Sequence, residues 1–138
     1  MNVETVEERV KQLIKARKEE AERLGIYGMA WRVARKLGKP EPKKYGAYWI
    51  FHRNGLKIIW DDYAPNLDIT YGGQLVFRVH LGDVEAYRPD VKGWLEQLKQ
   101  IYEDEVVPLI EAEKRKELEE YLKEIEQRWG IKPEEVIG

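Results

Sequence analysis

Tyr48-Trp49-Ile50-Phe51-His52-Arg53, then Asn54-Gly55, then Leu56-Lys57-Ile58-Ile59-Trp60-Asp61 is the stretch on which the fold turns. Two runs rich in aromatic and β-branched residues flank a dipeptide whose members both accept positive φ, as a two-residue hairpin turn requires. The turn fixes the register. Arg53 is predicted to pair with Leu56, Phe51 with Ile58 and Trp49 with Trp60 on one face, which is the core face. Tyr48, Ile50, His52, Lys57, Ile59 and Asp61 take the other.

Downstream of the hairpin, Leu67 to Tyr71 and Leu75 to Leu81 alternate as half-buried strands around Gly72-Gly73. A two-residue Gly-Gly turn would set Asp68 beside apolar Phe77. A three-residue loop of Tyr71-Gly72-Gly73 instead pairs Ile69 with Leu75 and Leu67 with Phe77, and is the expected connection. Val84 to Tyr87 supplies a short fifth strand before Arg88-Pro89.

Upstream, Val6, Val10, Leu13, Ile14, Ala21 and Leu24 recur at spacings of three and four, an amphipathic helix closed by Leu24-Gly25. Tyr27, Ala30, Trp31, Ala34 and Leu37 form the stripe of a second helix, stopped at Leu37-Gly38-Lys39-Pro40. Lys39 to Lys44, with two prolines, reads as a linker. Beyond the sheet, Asp90 is the expected N-cap of a helix whose stripe runs from Trp94 to Ile110, broken or restarted at Pro108, which lacks a backbone donor. Leu118, Tyr121, Leu122, Ile125 and Trp129 mark a further helix, and Pro133 opens a final short turn. The stripe over residues 111–130 is narrow, suiting a helix that extends along a partner.

These readings give an α+β class: N-terminal helices over 1–38, a four- to five-stranded antiparallel β-meander over 45–87, and a long C-terminal helical segment over 90–130 broken near Pro108. At 138 residues the prior is one domain with its own core.

Charge is strongly polarised along the chain. Residues 1–60 carry 14 Lys+Arg against 7 Asp+Glu, and residues 61–138 carry 10 against 19, so the net −2 hides two poles. Between Trp31 and Lys57 the cations Arg32, Arg35, Lys36, Lys43, Lys44 and Arg53 are interleaved with aromatics, a pattern that neutralises phosphates and stacks on bases in nucleic-acid binders. The hairpin register, however, sends Trp49, Phe51 and Trp60 inward, leaving Tyr48 and Tyr45 to stack. Opposite poles on one chain are as readily satisfied by each other, within one molecule or between two.

No cysteine or serine is present, which removes disulfides, thiolate metal sites and serine nucleophiles; Thr5 and Thr70 are the only side-chain aliphatic hydroxyls. Gly72-Gly73 lacks the partners of a phosphate-binding loop. His52 and His80 fall on the non-core sheet face with Asp61 and Asp68, the residue types from which acid–base or metal chemistry is built. The same alternation marks any half-solvated antiparallel sheet, and no pair stands at metal-ligand spacing. Strand-end Asp61-Asp62 reads first as turn chemistry. Ile50, Ile59 and Val76 are expected as a small apolar patch on that outer face, able to anchor an interface.

No transmembrane or secretory segment is legible, so a cytoplasmic location is expected. The 36% charged residues tilt towards a thermophilic source. The leading functional expectation is a non-catalytic protein-binding or regulatory protein that self-associates. Nucleic-acid binding through the basic segment is second and an enzyme of the polar sheet face is third. No cofactor is implied.

Overall fold

The computed structural model describes residues 3–137, with the side chains of all of these except 3, 4, 21, 136 and 137. The class is α+β. A 35-residue helix, α1 (Val3–Leu37), leads into strands β1 (Lys39–Pro42), β2 (Ala47–Arg53), β3 (Leu56–Asp61), β4 (Asn66–Tyr71), β5 (Gln74–His80) and β6 (Asp83–Tyr87). Helix α2 (Trp94–Ile101) continues through a π-helical turn at Tyr102–Val106 into α3 (Val107–Trp129), and a short α4 (Pro133–Ile137) follows. The strands form one antiparallel meander in the order β1 to β6.

The hairpin register is borne out, with Arg53 opposite Leu56, Phe51 opposite Ile58 and Trp49 opposite Trp60. Asn54 and Gly55 both adopt positive φ, 50° and 81°, as the turn demands. Phe51, Leu56, Ile58, Leu67, Ile69, Phe77 and Val79 are buried on the core face beneath the C-terminal half of α1 and beneath α2. Aromatic contacts join the layers: Trp31 lies 5.3 Å from Trp60 between ring centroids, and Phe77 meets Trp94 at 6.5 Å and Tyr87 edge-on at 6.3 Å. The indole N–H of buried Trp94 donates to the Arg88 carbonyl at 2.9 Å, so the largest core side chain leaves no polar atom unpaired.

Four expectations are corrected. First, the two N-terminal helices are one, because α1 runs through Gly25 without a break. A single glycine costs a helix only about 1 kcal/mol, too little to end one that packing anchors on its C-terminal side. Second, Lys39–Pro42 is a sixth strand, paired to β2, in place of the expected linker. Its prolines are tolerated because β1 is an edge with no outer neighbour to receive their missing donors.

Third, Gly72-Gly73 is a two-residue turn closed by Tyr71 and Gln74. The mismatch that this was expected to cause is absorbed by an irregularity between Ile69 and Thr70: Thr70 pairs with Leu75 but Ile69 with Phe77, so Val76 is one residue too many. The bulge keeps Phe77 in the core and sets Asp68 opposite Arg78. It also turns Val76 inward, fully buried, with its carbonyl accepting the Arg88 N–H at 2.8 Å, so Val76 is not part of an outer apolar patch. Fourth, α2 starts at Trp94 behind Gly93, which has φ 99°, and Asp90 is not its cap. Near Pro108 the expected interruption is present as a restart: Pro108 lies in the first turn of α3, directly after the π turn. Widening the helix before a proline accommodates the lost i to i−4 bond and the ring's clash with the preceding turn.

Candidate functional site

Among the described residues, the helices α1 and α2 pack in the core on one face of the sheet, and the opposite face carries an open surface. Cross-strand pairing orders its side chains into rows: His52, Lys57 and Thr70; Ile50, Ile59, Asp68 and Arg78; Tyr48, Asp61 and Asn66. Ile50 and Ile59 are adjacent and half-buried, as expected of a small apolar patch from which Val76 is now removed. Tyr48, Ile59, Asp61, Asn66, Asp68, Arg78, His80 and Glu85 line an open basin of about 460 Å³.

Of the four expected acid–base residues, Asp61, Asp68 and His80 line this basin and His52 does not. His52 and His80 share the face but sit on β2 and β5, at least three strand spacings or about 14 Å apart, and are further offset along the strands. They do not converge. Neither carboxylate is free for proton transfer. Asp68 is gripped by Arg78 through two bonds, Nε to Oδ1 at 2.8 Å and Nη2 to Oδ2 at 3.2 Å. Asp61, only 7% exposed, accepts Lys43 Nζ on Oδ2 at 2.6 Å and the Tyr63 and Ala64 N–H groups on Oδ1 at 3.0 and 3.3 Å.

Burial pushes the Asp61 carboxyl up, but the Lys43 ammonium and the two backbone donors outweigh it and hold the pKa below the usual carboxylate value. The hydrogen bond to Asp61 correspondingly raises Lys43. Asp62 points the other way, accepting Trp49 Nε1–H at 3.0 Å and the Ala47 N–H at 2.7 Å, and these bonds lower its pKa. Adjacent strand residues face opposite sides, so the two aspartates tie the β1–β2 loop, the β3–β4 loop and Trp49 into one corner. This is turn chemistry, as the sequence suggested. Lys43 as the partner was not foreseen, because the two residues meet only once β1 joins the sheet.

The same corner holds a feature with no signal in the sequence. Tyr45 and Tyr63, 18 positions apart on different loops, stack at 5.5 Å between centroids with both rings exposed. Lys44 lies over Tyr45 at 5.4 Å and Lys43 over Tyr48 at 4.5 Å.

The basic segment is largely engaged within the molecule. Lys36 bonds Glu113 of α3 at 2.6 Å, and Arg53 forms a fork with Glu105 of the π turn. Arg35 lies 4.1 Å over Trp49, and Arg32 4.8 Å over Trp31 while donating to the Gly28 carbonyl. The acidic C-terminal half therefore neutralises part of the basic pole, through Glu105 and Glu113.

Two helical arms leave the core. From Thr5 to Glu20 every side chain is exposed, with Val6, Val10, Leu13 and Ile14 at 45, 49, 57 and 50%. Ala21, expected on the same stripe, lies outside the described side chains. From Glu111 to Tyr121 every side chain is again exposed, Leu118 and Tyr121 among them, and Trp129 at the end of α3 is 74% exposed. Leu122 alone in that stretch is buried.

Among the described residues no helix is long and apolar enough to cross a membrane, and no three His, Asp or Glu side chains are placed to hold a metal ion. No protein-family model, curated protein or solved structure matches the chain.

Proposed function

We propose that this is a non-catalytic, self-associating binding protein whose helical arms dock against a second copy. The observation that carries the reading is the N-terminal half of α1: four aliphatic side chains at helical spacing, about half exposed, on a helix whose side chains over residues 5–20 are all exposed. An isolated helix of that length is marginal in water, and most helical stability comes from covering an apolar stripe. Fully burying a valine, leucine or isoleucine is worth roughly 1.5–3 kcal/mol, so closing the remaining half of four such side chains offers several kcal/mol per copy.

Charge favours a like partner. Between Thr5 and Leu24 the arm carries six cations and five anions, which selects neither a polyanion nor a strongly basic surface but suits another mixed-charge helix such as the arm itself. Analytical ultracentrifugation over a concentration series tests this. A reversible oligomer that dissociates in the Val10→Glu, Leu13→Glu double variant is expected. A strict monomer at every concentration overturns the reading.

Nucleic-acid binding through Arg32, Arg35, Lys36, Lys43, Lys44 and Arg53 has less support, since phosphates would have to displace Glu113, Asp61 and Glu105 from three of these cations. Salt-dependent retention of DNA or RNA that Lys43→Glu, Lys44→Glu abolishes would restore it.

A further inference from the structure

The open basin on the outer sheet face plays no part in the self-association reading, and its chemistry is distinct from that of the arms. Its volume of about 460 Å³ falls within the range of small-molecule sites. Its lining combines apolar surface, from half-buried Ile59 and the Tyr48 ring that carries Lys43 over one face, with polar groups held by hydrogen bonds.

The charges there are paired. Arg78 spends two N–H groups on Asp68 and keeps three, while each Asp68 oxygen keeps lone-pair capacity, so one rigid fork presents donors and acceptors side by side. Asn66 uses its carbonyl oxygen on the Leu81 N–H at 2.8 Å, which aims its amide NH2 elsewhere as a donor. His80 is exposed at the rim. Lys43, which lies over the Tyr48 ring, is neutralised by Asp61, and Glu85 adds a negative charge.

A phosphate or carboxylate ligand would meet no unpaired Lys or Arg in this basin and would be repelled by Glu85. A purely apolar ligand would leave the Asp68–Arg78 fork desolvated without compensation, which is costly. The complementary ligand is uncharged, has one apolar face, and carries adjacent hydroxyls that each donate and accept. We infer that the basin binds a neutral oligosaccharide, with a sugar ring's C–H face on Tyr48 and Ile59 and vicinal hydroxyls on the Asp68–Arg78 pair. The stacked Tyr45–Tyr63 rings, joined to the basin through Asp61, provide an exposed aromatic edge along which a chain can continue.

The test is an amide NMR titration of the full chain with cellohexaose, maltohexaose, xylohexaose and N-acetylchitohexaose, and with an oligothymidylate as the anionic competitor. At least one sugar is expected to move the resonances of Tyr48, Asp68, Arg78 and His80. Arg78→Gln is expected to weaken that sugar about tenfold, the effect of losing one hydrogen bond to a charged group. Should Arg78→Gln lose its folded spectrum, His80→Ala, at an exposed rim position, takes its place with the same expected direction. The inference is overturned if no sugar moves the basin resonances, if the variant binds as the parent does, or if the oligothymidylate moves them more than any sugar. Loss of self-association in the arm variant leaves this outcome untouched, so the two readings fail separately.

Discussion

The two halves of α1 carry the same kind of apolar stripe and meet opposite fates. In the C-terminal half Ile26, Ala30, Val33 and Ala34 are sealed against the sheet and α2, while in the N-terminal half Val6, Val10, Leu13 and Ile14 face solvent. Periodicity reports which side of a helix seeks cover; it does not report whether the same chain supplies it. In this molecule the cover ends near Gly25, where the helix passes the turn between β5 and β6.

Truncation should separate the halves most sharply. Ile26→Ala is expected to destabilise the fold by about 2–5 kcal/mol, whereas Leu13→Ala should stay within about 0.5 kcal/mol in urea unfolding of the monomer at high dilution and act instead on the sedimentation coefficient at high concentration. Equal losses at both sites would mean that the arm is covered in solution by its own chain.

Next in size is Gly38→Ala, at the point where the sealed half hands over to β1. A methyl group there collides with the carbonyl oxygens of Ala34 and Ile50, which are backbone atoms unable to step aside. Overpacking of this kind costs about 1–3 kcal/mol. At Gly25, on the boundary between the halves, an added Cβ meets nothing within 4 Å. Gly25→Ala should therefore stabilise the protein by about 0.5–1 kcal/mol, read as a higher urea midpoint, because alanine loses less backbone freedom in a helix.

Acid acts at the corner where the β1–β2 and β3–β4 loops meet. Asp61 and Asp62 have folded pKa values below the ordinary carboxylate value, so their contribution is fully present above that value and is lost as pH falls through the lowered ones. Unfolding followed by tryptophan fluorescence should show an acid-side loss that is reduced in Asp62→Asn. The smallest effect belongs to the Lys36–Glu113 pair, whose carboxylate is largely exposed: Glu113→Ala should change stability by no more than about 1 kcal/mol, less at high salt.

How much of this was legible follows the range of the signals. The hairpin could be read because Asn54-Gly55 fixes its own φ values and the parity of six neighbours on either side. The Val76 bulge could not, because turn geometry and core parity each demanded a different register, and the chain satisfies both by inserting a residue that neither signal encodes. Strand β1 was hidden by its prolines, whose usual meaning reverses at an edge. On the candidate site, the outward parity of His80, Asp61 and Asp68 was readable. The Lys43–Asp61 pair and the Tyr45–Tyr63 stack were not, since each depends on two loops meeting at one end of the sheet.

The π turn at Tyr102–Val106 sets the phase of everything after it. At 3.6 residues per turn, one residue added to or removed from a helix rotates its continuation by about 100°. A π turn takes up one residue more than an α turn in about the same rotation, so rewinding Tyr102–Val106 as ordinary α-helix with every residue kept would leave α3 as long and as apolar as before, yet would swing Leu118, Tyr121 and Trp129 by up to about 100° around the axis and carry Glu113 away from Lys36. The turn thus works as an angular setting that decides which direction the C-terminal arm presents to whatever it meets.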